Sequence, residues 1–226
     1  MRVRWYGQSA FRLVGGGMTV FIDPFGAFPP EALAARRMRF EYPAIAGVTA
    51  DVLLITHEHF DHNAAEAIDG APHTVRATAG TWPSPIGTVL GVASEHDAVA
   101  GTQRGPNSIF VFSLDGLRVC HLGDLGQPQL RPEQREAIGP VDLLFVPVGG
   151  GPTLGAESAS ATVRALAPRL VVPMHYRTPA VSFLEPADAF LEHYQDVRRL
   201  PGPEFETEGL LPGSGPMILV PAVPTA

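Results

Sequence analysis

The chain has 226 residues, of which 45% are hydrophobic, a formal net charge of −7 and a single cysteine, Cys120. That length buries a sizeable core, and the composition excludes a disordered chain. No apolar run approaches the ~18 residues of a membrane span, no apolar leader opens the chain, and no basic stretch offers a nucleic-acid groove. With one cysteine, no internal disulfide forms. The expectation is one cytoplasmic domain over residues 1–226.

In chain order, residues 3–14 and 18–22 read as two strands of a hairpin around Gly15-Gly16-Gly17. Asp23-Pro24 ends the second strand; its carboxylate is a metal ligand, a supporting hydrogen-bond acceptor or a turn residue. Residues 24–50 are irregular, with a helix at 30–40. Arg36-Arg37-x-Arg39 within them is either a solvated face or an arm that meets an anionic substrate. Val52-Leu53-Leu54-Ile55 is an unbroken apolar run, as in a strand buried on both faces.

The stretch Thr56-His57-Glu58-His59-Phe60-Asp61-His62 follows it directly. In an extended chain, residues two apart point the same way, so His57, His59 and Asp61 converge on one point and His62 faces a neighbouring one. That suits two metal ions side by side. Residues 63–68 read as a helix with Asp61 at its N-cap.

Short strands and turns come next. They cover residues 74–78 and 87–94, the pair His96-Asp97, a turn at 101–105, and a hairpin of 108–114 and 117–122 around Asp115-Gly116, which Gly123-Asp124 follows. Residues 128–138 are polar and helical at best. Residues 141–148 form another buried strand, similar enough to 50–56 to suggest two related halves. A Gly149-Gly150-Gly151 loop, a helix at 157–167, and a strand at 169–174 ending at His175 complete the second half. The tail has an amphipathic helix at 186–199, with Ala187, Phe190, Leu191, Tyr194 and Val197 on one stripe, and a strand at 217–220. The order is a mixed α/β pattern that fits two sheets packed face to face with helices outside.

His57, His59, Asp61, His62, His96, Asp124 and His175 all stand at the ends of apolar strands. Imidazoles and carboxylates without thiolates suit Zn²⁺, and also Mn²⁺, Fe²⁺ or Ni²⁺. One division puts His57, His59 and His96 on one metal, Asp61, His62 and His175 on the other, and Asp124 between them. His121 lies at odd spacing from Asp124 on an extended segment, so it reads as structural or supporting. His73 and His193 read as surface residues and Cys120 as inert packing. Tyr176 and Arg177, after the last histidine, are candidate substrate contacts; Asn107 and Thr153 are weaker ones.

His57-x-His59-x-Asp61-His62 followed by single His96, Asp124 and His175 resembles the metallo-β-lactamase superfamily of hydrolases, along almost the whole chain to about His175. Ser94-Glu95-His96-Asp97, His121-Leu122-Gly123-Asp124, Val146-Pro147-Val148-Gly149-Gly150 and Val172-Pro173-Met174-His175-Tyr176 are similar to the branch that includes ascorbate-6-phosphate lactonase. The resemblance implies a four-layer αβ/βα sandwich, an α/β (α+β) class. It also implies that Asp23 supports the site without binding metal. It implies metal-assisted hydrolysis with one or two Zn²⁺ per chain, or Mn²⁺ or another divalent ion, in which metal-bound hydroxide attacks and Asp61 orients it. His59 stands where diiron relatives carry Glu, which disfavours redox chemistry. The expected substrate is a small lactone, ester or phosphate-bearing molecule. A phosphodiesterase or nuclease, or a non-catalytic metal-containing regulator, are the alternatives. No membrane or nucleic-acid partner is expected, and the sequence leaves a homo-oligomer open.

Overall fold

The computed structural model describes residues 1–210 and 215–225. Its elements, in chain order, begin with β1 (Arg2–Gly7), β2 (Ala10–Gly15), β3 (Met18–Ile22), α1 (Pro30–Arg36), β4 (Val48–Thr49), β5 (Val52–Ile55), β6 (Ile68–Asp69) and β7 (His73–Arg76). They continue with β8 (Gly80–Ser84), β9 (Gly87–Glu95), β10 (Pro106–Leu114), β11 (Leu117–His121), α2 (Pro132–Ile138), β12 (Leu143–Pro147) and α3 (Ala156–Leu166). The last are β13 (Leu170–Met174), α4 (Asp188–Leu191), β14 (Val197–Arg199), β15 (Glu204–Glu206) and β16 (Met217–Val220).

These form a six-stranded sheet, β15-β1-β2-β3-β5-β7, an eight-stranded sheet, β14-β16-β13-β12-β11-β10-β9-β8, and a two-stranded pair, β4-β6. Each of the two large sheets follows one plan. An antiparallel meander feeds parallel strands: β1-β2-β3 then β5 and β7, and β8-β9-β10-β11 then β12 and β13. The similarity of 50–56 to 141–148 thus marks equivalent strands, β5 and β12.

The sheets pack face to face. Phe11 of β2 meets Phe145 of β12 with ring centroids 4.4 Å apart. Alternation then sorts β5: Val52 and Leu54 join this main core, while Leu53 and Ile55 join a smaller one with Phe21, Phe25, Tyr42 and Val181. The second core lies under the irregular segment between β3 and β4, so the cover there is largely loop rather than helix. In the other half, α3 contributes Ala159, Val163 and Leu166 to the main core, which also holds the fully buried residues of β12 and β13.

Four sequence expectations change. Residues 3–14 are two strands, because Gly7 (φ +115°) and Gln8 (φ +48°) reverse the chain. The 63–68 helix is a single 3₁₀ turn at Ala65–Ala67 whose N-cap is Ala64, not Asp61. Pairing of Ile68 with Val48 pulls the chain out of it. The 186–199 helix stops at Leu191, since Val197–Arg199 pair with Ile218–Val220 as a strand; sheet pairing overrides helical periodicity there. Strand β8 was not anticipated. Its Pro83 fits because β8 is an edge strand.

The strand ends β3, β5, β9, β11 and β13 all deliver polar residues to one rim. Hydrogen bonds from Ser108 N–H to the Thr56 carbonyl (2.9 Å) and from Val148 N–H to the Met174 carbonyl (3.1 Å) tie that rim together. A Cβ on Gly149 would lie 2.1 Å from the His175 carbonyl oxygen. Gly149→Ala is therefore expected to lower stability by about 1–3 kcal/mol through overpacking, read from the midpoint of urea unfolding.

Candidate metal centre

Six of the strand-end residues converge around one carboxylate. Asp124 Oδ2 is 3.2 Å from His96 Nε2, 3.2 Å from His175 Nε2, 3.3 Å from His62 Nε2 and 3.9 Å from His57 Nε2. His57, His59 and His96 offer ligand atoms within 4.8 Å of one another, and so do Asp61, His62 and His175. His57, His62 and Asp124 form a third such group that joins the two. His57 Nε2 and His59 Nδ1 are 3.1 Å apart. Two nitrogens bound to a tetrahedral ion at about 2.0–2.1 Å would lie about 3.3 Å apart.

The extended-chain reading of the motif is corrected. His62 N–H bonds to the His59 carbonyl at 2.9 Å, so the stretch turns after His57. Asp61 therefore leaves the His57–His59 side and joins His62 and His175.

Neighbouring groups fix which nitrogen faces the cluster. Asp23 accepts Thr56 N–H (2.8 Å) and Thr56 Oγ1–H (2.7 Å), and His62 Nδ1 lies 3.0 Å from its Oδ2. A carboxylate only accepts, so His62 carries its proton on Nδ1 and turns Nε2 inward. Thr56 has given its proton to Asp23, so across 3.0 Å it accepts from His57 Nδ1–H. His96 Nδ1 donates to the Pro152 carbonyl at 3.0 Å. Three imidazoles thus present bare Nε2 atoms to the same space. His62 Nε2 is buried yet makes no hydrogen bond. A lone pair placed so, among ionised carboxylates, fits a cation.

The electrostatics agree. Burial resists ionisation of Asp124, but the histidines around it outweigh that and hold its carboxyl well below the usual range. Asp61 is lowered in the same way, with His62 first among its neighbours. Burial, helped by His62, pushes His57 well below the ordinary histidine value, and burial with His96 lowers His59, so both stay neutral. For His62, burial is outweighed by Asp124 and Asp61, which raise it. Uncompensated buried charge is costly, and a divalent ion supplies the compensation.

The structure also supplies two supports that the sequence did not single out, Gln8 and Ser9, and makes Asn107 a support of Asp124 in place of a substrate contact. Gln8 Nε2 donates to Asp61 Oδ2 at 3.2 Å, and Ser9 Oγ lies 3.5 Å from Asp124 Oδ1. The signal available was a polar Gln8-Ser9 pair inside an apolar run. Asn107 Oδ1 accepts Asp124 N–H at 3.0 Å while its Nδ2 donates to the Leu122 carbonyl. Gly123 (φ +57°) is needed beside it, since a Cβ would lie 2.3 Å from Asn107 Oδ1. His121 is buried outside the cluster. Its Nε2 donates to the Ser9 carbonyl and its Nδ1 accepts Gly123 N–H, both at 3.1 Å.

Tyr176 and Arg177 do not reach the site. His175 sits at φ +50° and the chain turns away. Tyr176 stacks on Trp5 at 5.7 Å, and Arg177 Nε donates to the Leu184 carbonyl. Thr153 bonds to the Gly150 carbonyl. Above the cluster lies an open cavity of about 370 Å³. His59, Asp61, His96, Asp124 and His175 form its floor, and Phe28, Met38, Phe60, Phe183, Arg36 and Arg104 line the rest.

Residues 2–175 match the beta-lactamase superfamily domain. The chain is 31% identical over 237 residues to a UPF0173 metal-dependent hydrolase of Thermococcus onnurineus, covering 94% of this chain and 97% of that protein. A crystal structure from Thermotoga maritima, assigned to the Zn-dependent hydrolases of the metallo-β-lactamase superfamily, matches with TM-score 0.77 at 31% identity, over 98% of this chain and 99% of that one. An isothiocyanate hydrolase from Delia radicum gut bacteria shares the fold, with TM-score 0.64 at 16% identity over 100% of this chain and 98% of that one. The chain belongs to the metallo-β-lactamase superfamily and has its fold.

Asp23 collects three donors on two oxygens. Asp23→Asn sets an amide N–H against one of them and frees His62 to rotate. Metal affinity, measured by chelator competition, is expected to fall about 10–100-fold with the fold retained on circular dichroism.

Proposed function

We propose that this chain is a metal-dependent hydrolase that holds two divalent ions, zinc in the first place, and cleaves a small lactone, carboxylic ester or phosphate-bearing molecule. The observation that carries this reading is the Asp124 carboxylate, ringed by imidazole Nε2 atoms at 3.2–3.9 Å, with His62 Nε2 left without a hydrogen bond. His57, His59 and His96 would hold one ion, Asp61, His62 and His175 the other, and Asp124 both. Such an ion supplies a water acidified from pKa 15.7 to about 7 and polarises a carbonyl or phosphoryl oxygen.

The remaining work falls to the chain. Thr56, Asp23 and Pro152 hold the imidazoles in one tautomer, so the site is organised before substrate arrives. Gln8 fixes Asp61 at the cavity floor. There Asp61 orients the attacking water, accepts its proton at the carboxylate and returns it to the leaving group. Phe28, Phe60 and Phe183 give the cavity an apolar side against which a substrate body would pack. No Ser or Cys nucleophile is required; Cys120 is buried, and burial raises its thiol pKa further. The cavity's volume, about 370 Å³, is in the range of small-molecule sites.

Elemental analysis of protein purified without added metal is expected to give up to two equivalents per chain. Removal by chelator should abolish hydrolysis across a panel of lactones, esters and bis-p-nitrophenyl phosphate, and Zn²⁺ or Mn²⁺ should restore it. Full metal content with no turnover on any panel member would point instead to a non-catalytic metal protein. Because ligand imidazoles bind metal only when neutral, acidification releases the ions. Metal content and rate should therefore fall together as pH is lowered, His62 taking up a proton first because burial is outweighed there by Asp124 and Asp61, which raise its pKa. Asp61→Asn should lower kcat about 10²–10⁴-fold, the range of a lost general base, while at least one ion stays bound.

A further inference from the structure

The cavity above the metal centre is lined by two cations that no described residue pairs with. Most arginines of the chain are engaged: Arg76 with Glu58, Arg131 with Glu95, Arg118 with the Ile138 carbonyl. Arg36 and Arg104 are exposed, both line the cavity, and neither guanidinium makes an ion pair or hydrogen bond with a described residue. They come from separate segments of the sequence. Arg36 closes α1, and Arg104 ends the loop that follows His96.

That loop is built, not loose. Asp97 Oδ1 accepts the N–H groups of Val99 (2.9 Å) and Gly101 (2.8 Å), and Oδ2 accepts those of Gln103 (2.9 Å) and Arg104 (2.8 Å). Gly105 then returns its carbonyl to His96 N–H at 3.2 Å. One carboxylate therefore fixes the Arg104 backbone to the residue next to His96. Burial opposes the charge on Asp97, but the four N–H groups win and hold its carboxyl at about 2.

Resting on the hydrolase reading above, we propose that Arg36 and Arg104 form an anion subsite, so that the substrate is a small apolar-bodied ester or lactone bearing a carboxylate or phosphate group. Guanidinium forks match both oxyanions. In a chain of net charge −7, this pair offers an anion the attractive approach to the cavity. Phe28, Phe60 and Phe183 receive the apolar body.

The test measures binding and turnover on the metal-loaded protein. Phenylphosphonate, phenylacetate and neutral benzyl alcohol are titrated calorimetrically into wild type, Arg36→Gln and Arg104→Gln. Hydrolysis of mono-4-nitrophenyl succinate and of neutral 4-nitrophenyl butyrate is followed in parallel. Wild type should bind an anion at least tenfold tighter than benzyl alcohol. Each variant should lose about tenfold of that binding, and of kcat/KM on the succinate ester through KM, with metal content and butyrate hydrolysis unchanged. Tighter phosphonate assigns phosphate; tighter phenylacetate assigns carboxylate. Anion binding that is equal in wild type and both variants overturns the subsite while butyrate hydrolysis leaves the hydrolase reading standing. Arginine-dependent binding without any turnover does the reverse.

Discussion

The Asp124 carboxylate sets the terms for the whole rim. It is buried between the two sheets, ionised, and surrounded by imidazole nitrogens from three separate strand ends. A buried anion of this kind is tolerated only when compensated. A divalent cation would supply that compensation, and the surrounding imidazole lone pairs with the Asp61 carboxylate form the array that would hold it. The constraint reaches outward: Asn107 and Gly123 exist in their present conformations to seat Asp124. Asp23 and Thr56 exist in theirs to aim His62 and His57.

The two-sheet architecture explains how distant sequence meets at one point. Each half of the chain carries parallel strands, and β5 and β13 end on the same rim, where His57 and His175 follow them. Asp23 (φ +48°) and His175 (φ +50°) both adopt left-handed backbone immediately after a strand. Conformations like these cost energy and tend to occur where function requires them. The packed sheets on either side, joined through Phe11 and Phe145, supply the rigidity that holds them.

Much of this was legible in the residues. The run Val52–Ile55 showed a two-face-buried strand because alternate residues serve two different cores. The clustering of His and Asp at strand ends marked the rim. What was not legible depends on tertiary pairing or backbone twist. Residues 63–68 and 186–199 carry helical periodicity, yet strand pairing with Val48 and with Ile218–Val220 takes their ends. Tyr176 and Arg177 follow His175 in sequence, but the left-handed turn at His175 sends them to Trp5 and Leu184 instead of the cavity. Arg104 lies far from the motif and reaches the mouth only through the Asp97 loop, whose hydrogen bonds no local pattern announces.

On the proposed reading, two ions would share the Asp124 carboxylate. Anomalous diffraction recorded at and below the absorption edge of the bound metal tests it directly. Two peaks are expected, one among His57, His59 and His96 and one among Asp61, His62 and His175, with Asp124 between them. Metal-loaded crystals with no peak in this cluster, or with peaks only elsewhere on the chain, would contradict it.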